Sequence, residues 1–503
     1  MTNTPINQDE INKAVWNACD TFRGTVDPSI YKDFILTMLF LKYISDVHRD
    51  KVAELTAEYG DIPELIAEMI QSQSYNIPQG CSFWDVYEAR YEAGNGERID
   101  KALHAIEEAN VKLKGVFQDI TFNTDKLGDE KQKNDILRHL LEDFGKDKLN
   151  LAPSRVGTLD VIGNAYEYLI KHFAASSGKS AGEFYTPPEV SDLLSIILEP
   201  QEGDTICDPA CGSGSLLMKC GKQVQKNFGG SKKYALYGQE AIGSTWSLAK
   251  MNMFLHGEDN HRIEWGDTIR NPKLQDQNGG LLHFDVVTAN PPFSLDKWGH
   301  DDAADDHFGR FRRGVPPKTK GDYAFISHMI ETLKPDTGRM GVVVPHGVLF
   351  RASSEGKIRK QLIDENLLDT VIGLPEKLFF GTGIPAAILL FKKHKADDKV
   401  LFIDAAREFK SGKNQNQLTP GNIQKIVDTY HARESVDKYA YLASVAEIQE
   451  NDYNLNIPRY VDTFEEEEEI DLMAVRAERL ALQGELAALE AEMAVYLKEL
   501  GYE

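Results

Sequence analysis

Basic charge is what this 503-residue chain has too little of: 56 Lys and Arg stand against 79 Asp and Glu, a formal net charge of -23. Neutralisation of phosphates by Lys and Arg supplies most non-specific DNA affinity, so such a chain is a poor DNA binder on its own. If it acts on DNA, another component supplies part of the grip. Cysteine is sparse as well. Cys19, Cys81, Cys207, Cys211 and Cys220 are odd in number and lack zinc-type pairs, so neither a disulfide framework nor a metal knuckle is expected. Long apolar runs are missing too: the longest, Phe34 to Ile44, is interrupted by Lys42 and is too short to span a bilayer. Met1 to Gln8 lacks the basic-then-apolar architecture of a signal segment, and the expected location is the cytoplasm. With 42% hydrophobic and 27% charged residues at this length, two or three globular domains are expected.

What is present gathers around Asn290-Pro291-Pro292-Phe293, which ends the strand-like run Phe284-Asp285-Val286-Val287-Thr288-Ala289. Proline fixes φ and has no N–H, so the turn presents the Asn side chain and nearby carbonyls as acceptors, and a planar ring follows at once. Asn290 Oδ1 and the Pro291 carbonyl suit the two N–H bonds of an exocyclic amino group on a flat base, with Phe293 stacking on it. For the tetrapeptide alone, a proline-terminated strand without chemistry is the competing reading.

The stretches upstream give that turn its company. Thr205 to Leu217 reads as strand, glycine turn and helix, with Asp208 at the strand end and Gly212-Ser213-Gly214 letting the backbone pass close to a ligand. The spacing is neither that of dinucleotide enzymes nor that of a P-loop. A second strand, Tyr234 to Gly238, leads to Glu240, the position where doubly wound sheets bind ribose hydroxyls. A third, Ile263 to Thr268, carries Asp267, able to accept from an adenine amino group. Each acid alone reads as a solvated loop residue; their succession at strand ends about 25 to 30 residues apart is what βα units require. Ahead of them lies Glu183-Phe184-Tyr185-Thr186-Pro187-Pro188-Glu189-Val190. Thr186 is placed as an N-cap, Pro187 at the first helical position and Glu189 three after Thr186, which is a capping box. A helix start with a free hydroxyl can also hold a carboxylate.

The rest of the chain frames this core. Helices are expected at Ile30 to Asp50, 64–73, 100–117 and 135–144, with no catalytic constellation, as a DNA-facing accessory domain or a plain scaffold. After the catalytic turn, Ser294 to Thr319 leads into Arg310, Arg312, Arg313, Lys318 and Lys320 clustered around Phe311. These charges could meet phosphates, or the loop is a solvated insertion, since Asp301, Asp302, Asp305 and Asp306 partly cancel them. Strands at 341–345, 368–374 and 386–391 follow, so the sheet runs parallel first and gains a late strand pair. The acidic run Glu465 to Glu469 precedes a heptad stripe of Leu472, Val475, Leu482, Leu486, Leu489, Met493, Tyr496 and Leu500. That stripe makes a long helix with one sticky face, for a partner or for its own domain. The expected domains are helical (1–152), catalytic α/β (153–445) and a tail with a partner-binding helix (446–503).

The constellation fits S-adenosylmethionine bound across the strand ends, its methyl facing an adenine flipped out of the stack. Acceptors at Asn290 and Pro291 favour a tetrahedral, nucleophilic N6, so alignment and electrostatics carry a direct displacement without a metal or covalent nucleophile. Glu183–Val190, Asp208–Leu217 and Ala289–Phe293, in that order, resemble the amino-group DNA methyltransferases. Phe22-Arg23-Gly24, Phe34–Ile44, Ala165-Tyr166-Glu167-Tyr168-Leu169 and Gly381-Thr382-Gly383-Ile384-Pro385 extend the similarity, over most of the chain, to the modification subunit of type I restriction–modification systems. The resemblance implies an α/β fold: a Rossmann-like methyltransferase domain, an N-terminal all-helical domain and a C-terminal long helix. It implies N6 methylation of adenine in double-stranded DNA by two copies of the chain on one specificity subunit, which a restriction subunit can join. Carried over, Tyr185 and Thr186 lie near the methionine end of the cofactor. Asp208, Gly212, Ser213 and Gly214 cradle it, Glu240 holds the ribose and Asp267 the adenine. The alternatives are a self-sufficient amino-methyltransferase acting on adenine N6 or cytosine N4, and a catalytically silent DNA-binding or assembly subunit. No domain-sized region is left for target recognition, against the first; the intact Asn-Pro-Pro-Phe turn stands against the last.

Overall fold

The computed structural model describes residues 7–502 apart from 23–25, 27, 61, 74–75, 158, 177–185, 380–382, 414 and 464–471. Tyr185, Arg23-Gly24, Gly381-Thr382 and the acidic run at 465–469 lie outside the described residues. The first third of the chain is helical: α1 (Gln8–Ala18), α2 (Pro28–Tyr59), α3 (Pro63–Gln73), α4 (Phe83–Glu88), α5 (Asn95–Ala109), α6 (Glu130–Phe144), α7 (Pro153–Val156) and α8 (Leu159–Ser176). α1 begins at a reciprocal cap: the Asn7 side chain accepts from the Glu10 N–H at 2.9 Å, and the Glu10 carboxylate accepts from the Asn7 N–H. Ile11, Val15 and Ala18, one face of that helix, are buried. In α2 every residue from Phe34 to Ile44 is buried, as a largely apolar run requires. Among them is Lys42, fully buried with Asp46 one turn on. Lys42 also donates to the Leu149 carbonyl at 2.8 Å, while Asp46 accepts from the Trp84 indole N–H at 2.9 Å and the Leu151 N–H at 2.8 Å. This polar cross-tie joins α2 to α4 and to the segment leading into α7.

Strands and helices then alternate: α9 (Pro188–Ile197), β1 (Thr205–Asp208), α10 (Ser215–Asn227), β2 (Ala235–Glu240), α11 (Gly243–Leu255), β3 (His261–Trp265) and β4 (Val286–Ala289). They are followed by α12 (Asp322–Glu331), β5 (Arg339–Pro345), α13 (Ser354–Asp364), β6 (Leu368–Gly373) and β7 (Ala386–Lys392). Last come β8 (Lys399–Asp404), α14 (Pro420–Ala432), β9 (Ala440–Ser444), α15 (Val445–Glu450) and α16 (Leu472–Glu499). The strands form one sheet in the order β3-β2-β1-β4-β5-β7-β6-β8-β9. β3 through β5 are parallel; β7 runs against both β5 and β6. All four residues of β4 are buried, the pattern of a parallel strand covered on both faces.

Met1–Val461 forms one compact unit and Asp462–Glu503 a second. In the first, the helical region shares a continuous core with α8 to α11, with Phe40 and Phe254 rings 5.1 Å apart across 152/153. The core also runs past 445: Ile448, Leu455, Ile457 and Val461 are buried, and Tyr460 stacks on Phe402 at 3.9 Å. The thinning expected from 446 therefore begins only after Val461. In the second unit, Leu482, Leu486, Leu489, Met493 and Tyr496 of α16 are each more than half exposed.

Candidate active site

Register brings four strand ends to one edge. Asp208 of β1 lies beside Gly238 of β2, which pairs with Ile263 of β3, and Ile206 pairs with Val286 of β4. Side chains that follow the last residues of these strands therefore meet in the crevice where open α/β sheets bind ligands. Between β1 and α10, Gly212 and Gly214 take left-handed φ values of 54° and 79°. At Gly214 any side chain would be strained by the left-handed φ, and its Cβ would stand 2.8 Å from the flexible end of Met253. No side chain caps α10 at Gly214, which leaves its first N–H groups to the crevice.

The acids are held by backbone donors. Glu240 accepts from the Gly212 N–H at 3.0 Å and the Ile242 N–H at 2.9 Å, bridging the glycine loop to the start of α11. Asp267 Oδ1 accepts from the Ile269 and Arg270 N–H groups at 2.9 and 3.0 Å. Together with Pro209, Ala210, Ile242 and Pro292, these two acids line a pocket of about 270 Å³. Ile242, an exposed apolar side chain on its rim, was not singled out from the sequence; its signal is its place two residues after the strand-end acid.

Asp208 is 2% exposed, and its Oδ1 is committed to the Ala210 N–H at 2.9 Å, so it shapes the glycine loop from behind. Burial, with the Glu240 charge adding to it, pushes its pKa from 3.8 up to about 8. The native state thus holds this proton more tightly than the unfolded chain. The linked stability is complete below about pH 4 and is lost as pH rises through about 8. Asp208→Asn is accordingly expected to flatten the thermal midpoint of the cofactor-free protein against pH across that window; a curve parallel to the wild type would contradict it. The Cys207 and Cys211 thiols are pushed well up by burial, which makes both poor nucleophiles. Among the described residues no His, Cys, Asp and Glu cluster could hold a metal ion.

At the catalytic turn, Asn290 is 9% exposed and its Nδ2 donates to Thr186 Oγ1 at 3.2 Å. Its Oδ1 is buried without a hydrogen-bond partner among the described residues. The expected cap at Thr186 is corrected here. α9 starts at Pro188 with Pro187 as its N-cap at φ -51°, ψ 133°, and no side chain caps it. A residue before proline is kept out of the α region, so Pro188 forbids the helix from starting at Pro187 and frees the Thr186 hydroxyl for Asn290. Phe293 meets Phe379 edge-on, ring centroids 5.8 Å apart. Ser294, at φ 52°, gives its N–H to Asp322 Oδ1 at 2.8 Å; Asp322 is held in turn by Arg351 at 2.5 Å.

The basic loop is reassigned in part. Arg310 is 3% exposed and bonds Asp306 and the Thr268 and Ile269 carbonyls; Arg313 is 2% exposed between Glu331 and Glu365. Buried guanidinium groups need such partners, and both are framework rather than phosphate contacts. Arg312 and Lys318 stand exposed, paired with Glu331 and Asp301, and Lys320 is half-buried.

This arrangement is matched by known proteins. The model of the N-6 DNA methylase family matches residues 157–469, and that of the HsdM N-terminal domain residues 11–144. The type I restriction enzyme MpnII methylase subunit of Mycoplasma pneumoniae is 32% identical, over 92% of this chain and 91% of that protein. The HindI methylase subunit of Haemophilus influenzae is 33% identical, over 82% and 94%. The methyltransferase subunit of a type I restriction–modification system from Streptococcus thermophilus superposes with a TM-score of 0.81 at 37% identity, covering 91% of this chain and all of that one. With the strand-end acids, the glycine loop and the Asn-Pro-Pro-Phe turn on one sheet edge, the chain belongs to the N-6 DNA methylases, adenine-specific DNA methyltransferases of the type I restriction enzyme methylase-subunit class.

Proposed function

We propose that S-adenosylmethionine lies across the edge of β1 to β4 and that a flipped adenine enters between Asn290 and Phe293. The observation that carries this reading is the buried, unpartnered Asn290 Oδ1 beside the pocket of Glu240 and Asp267. An acceptor left so costs about 1–3 kcal/mol, a state reserved for an incoming donor. Glu240 takes the ribose hydroxyls and Asp267 the adenine amino group of the cofactor; Gly212, Ser213 and Gly214 let the backbone come close. Thr186, and Tyr185 beside it in sequence, serve the methionine end. When bound, the cofactor supplies an electrophilic methyl group. Asn290 Oδ1 and the Pro291 carbonyl then hold the N6 protons so that the nitrogen lone pair turns out of the ring and toward that methyl. Phe293 offers its face to the base, and Phe379 closes the other side of the entry. Arg312, Lys318 and Lys320 remain candidates for phosphate contact.

In this reading two copies of the chain sit on one specificity subunit that reads double-stranded DNA, and a restriction subunit can join. The acidic charge supports it, because a chain of net charge -23 needs a partner to hold DNA. No described helix is long and apolar enough to cross a membrane, in keeping with work on DNA in the cytoplasm. The test is to map modified bases in a methylation-free bacterial host. The chain alone is expected to leave no N6-methyladenine, and co-expression with its specificity subunit to produce it. N6-methyladenine at a short continuous site from the chain alone would overturn the subunit reading. The exposed apolar stripe of α16 supports a helix docking on the specificity subunit. Removing 482–503 is expected to abolish co-purification with that subunit while cofactor binding, read by calorimetry, is retained; undiminished co-purification would refute it.

A further inference from the structure

With Arg310 and Arg313 drawn inside, the basic loop offers little free charge, yet a second basic surface lies at the same sheet edge. Beyond the end of β5 the chain passes Phe350 and enters α13, and a groove of about 410 Å³ opens between α13 and the segment 451–459. Lys357, Lys360 and Arg459 stand exposed along it. Beneath them Arg359, 4% exposed, gives its hydrogen bonds to the carbonyls of Tyr453, Val348 and Arg351 at 2.7, 3.2 and 3.0 Å. Its charge is thus fixed in place by neutral acceptors. Among the described residues, Lys357 and Arg459 join no ion pair; Lys360 pairs with Asp364, and Asp452 is the acid on the groove's own wall. Lys360 and Asp364 cancel, so exposed Lys357 and Arg459, with buried Arg359 beneath them, stand against Asp452, a positive balance that stands out in a chain this acidic.

The groove is also tied to the chemistry. Arg351, next to Phe350, holds Asp322, and Asp322 accepts the Ser294 N–H that follows Phe293 directly. We propose that this groove seats backbone phosphates of the DNA strand beside the flipped adenine. The proposal rests on the active-site reading above and adds a surface to it. Phosphates are the occupant that the chemistry favours: the exposed cations Lys357 and Arg459 line the groove, and the exposed Phe350 ring lines it with them.

The test uses the chain assembled with its specificity subunit and a duplex oligonucleotide carrying the mapped target. For Lys357→Glu with Arg459→Glu, the KM for duplex is expected to rise about tenfold or more. The slope of log binding constant against log salt should shrink by about 2, near 0.9 per lost phosphate contact. The kcat at saturating DNA, cofactor binding and thermal midpoint should stay at wild-type values, and Lys357→Arg with Arg459→Lys should behave as wild type. An unchanged salt slope and KM would overturn the proposal. So would weakened association with the specificity subunit at an unchanged slope, which would make the groove a protein contact. Duplex binding is read by anisotropy whether or not methyl transfer occurs. Failure of the functional reading would appear instead as wild-type complex that makes no N6-methyladenine.

Discussion

Asn290→Ala is expected to lower the single-turnover rate of methyl transfer on the order of 10²–10³-fold, the loss typical when one preorganised group facing developing charge is removed. The reason lies in how the side chain is divided. Nδ2 is anchored on Thr186 Oγ1, which fixes the amide plane, and the proposed reading gives the buried, unpartnered Oδ1 to the N6 amino group. As N6 forms its new bond it gains positive charge, and Oδ1 stabilises it more strongly than it does the planar ground-state amine. The effect should therefore fall on kcat, with binding of S-adenosylmethionine near the wild-type value. Thr186→Ala removes the anchor and keeps the acceptor, so a smaller loss of the same kind is expected. Transfer of labelled methyl groups to target duplex by the assembled enzyme measures both. A full rate in Asn290→Ala would sink the assignment of the turn.

A loss of stability as large is expected far from the chemistry. Lys42→Met leaves Asp46 buried without its cation, and breaking a buried pair in this way costs on the order of 3–5 kcal/mol. Burial pulls the Lys42 pKa down to about 8, so near neutral pH the ammonium still carries its charge. Asp46 cannot turn away, because it also holds the Trp84 indole and the Leu151 N–H. Lys42→Met combined with Asp46→Asn should recover only part of the loss: the unpaired charge is gone, but the Trp84 and Leu151 N–H groups bond different oxygens of Asp46, and the one Asn oxygen can accept from only one of them. Urea unfolding midpoints of the wild type and the two variants decide it. If the single variant unfolds at the wild-type midpoint, the pair is not the tie between α2 and α4 that its geometry describes.

The catalytic edge was legible because parallel strands buried on both faces appear in sequence as unbroken apolar runs with a polar residue at the end. Cys207-Asp208 and Ala289-Asn290 follow that rule, Glu240 ends a strand of which only half is buried, and the glycines between β1 and α10 mark the turn. The helical N-terminal third and the long C-terminal helix were legible from period. Three things were not. The capping rule placed Thr186 at a helix start, but the restriction that Pro188 imposes on Pro187 is stronger, and the hydroxyl went to a residue 104 positions away. Arg310 and Arg313 looked like surface charge because Asp301 to Asp306 were the only acids in view. The carboxylates that bury Arg313 come from Glu331 and Glu365, 18 and 52 residues on, and local charge counting cannot find them. The span 446–461 keeps its apolar residues at spacings that fit neither a helix nor a strand throughout, yet Tyr460 stacks on Phe402 across more than fifty residues of chain. β8 and β9 were missed beside it, and they are the strands that this span covers.

The reversed strand β7 has a consequence for how such an enzyme can change. Ala386 pairs with Pro345 and Ala387 with Gly373, so the chain leaves the sheet at the end of β6 and returns at the start of β7 through a single gap. Phe379, between those two points, reaches Phe293. Lengthening that hairpin leaves every rung of the sheet in register, and doubling a loop costs only about 0.6 kcal/mol of closure entropy. The wall that Phe379 sets against Phe293, which the proposed reading makes the entry of the base, can therefore be lengthened, shortened or exchanged as a cassette, while the half of the crevice built from β1 to β3 keeps its shape.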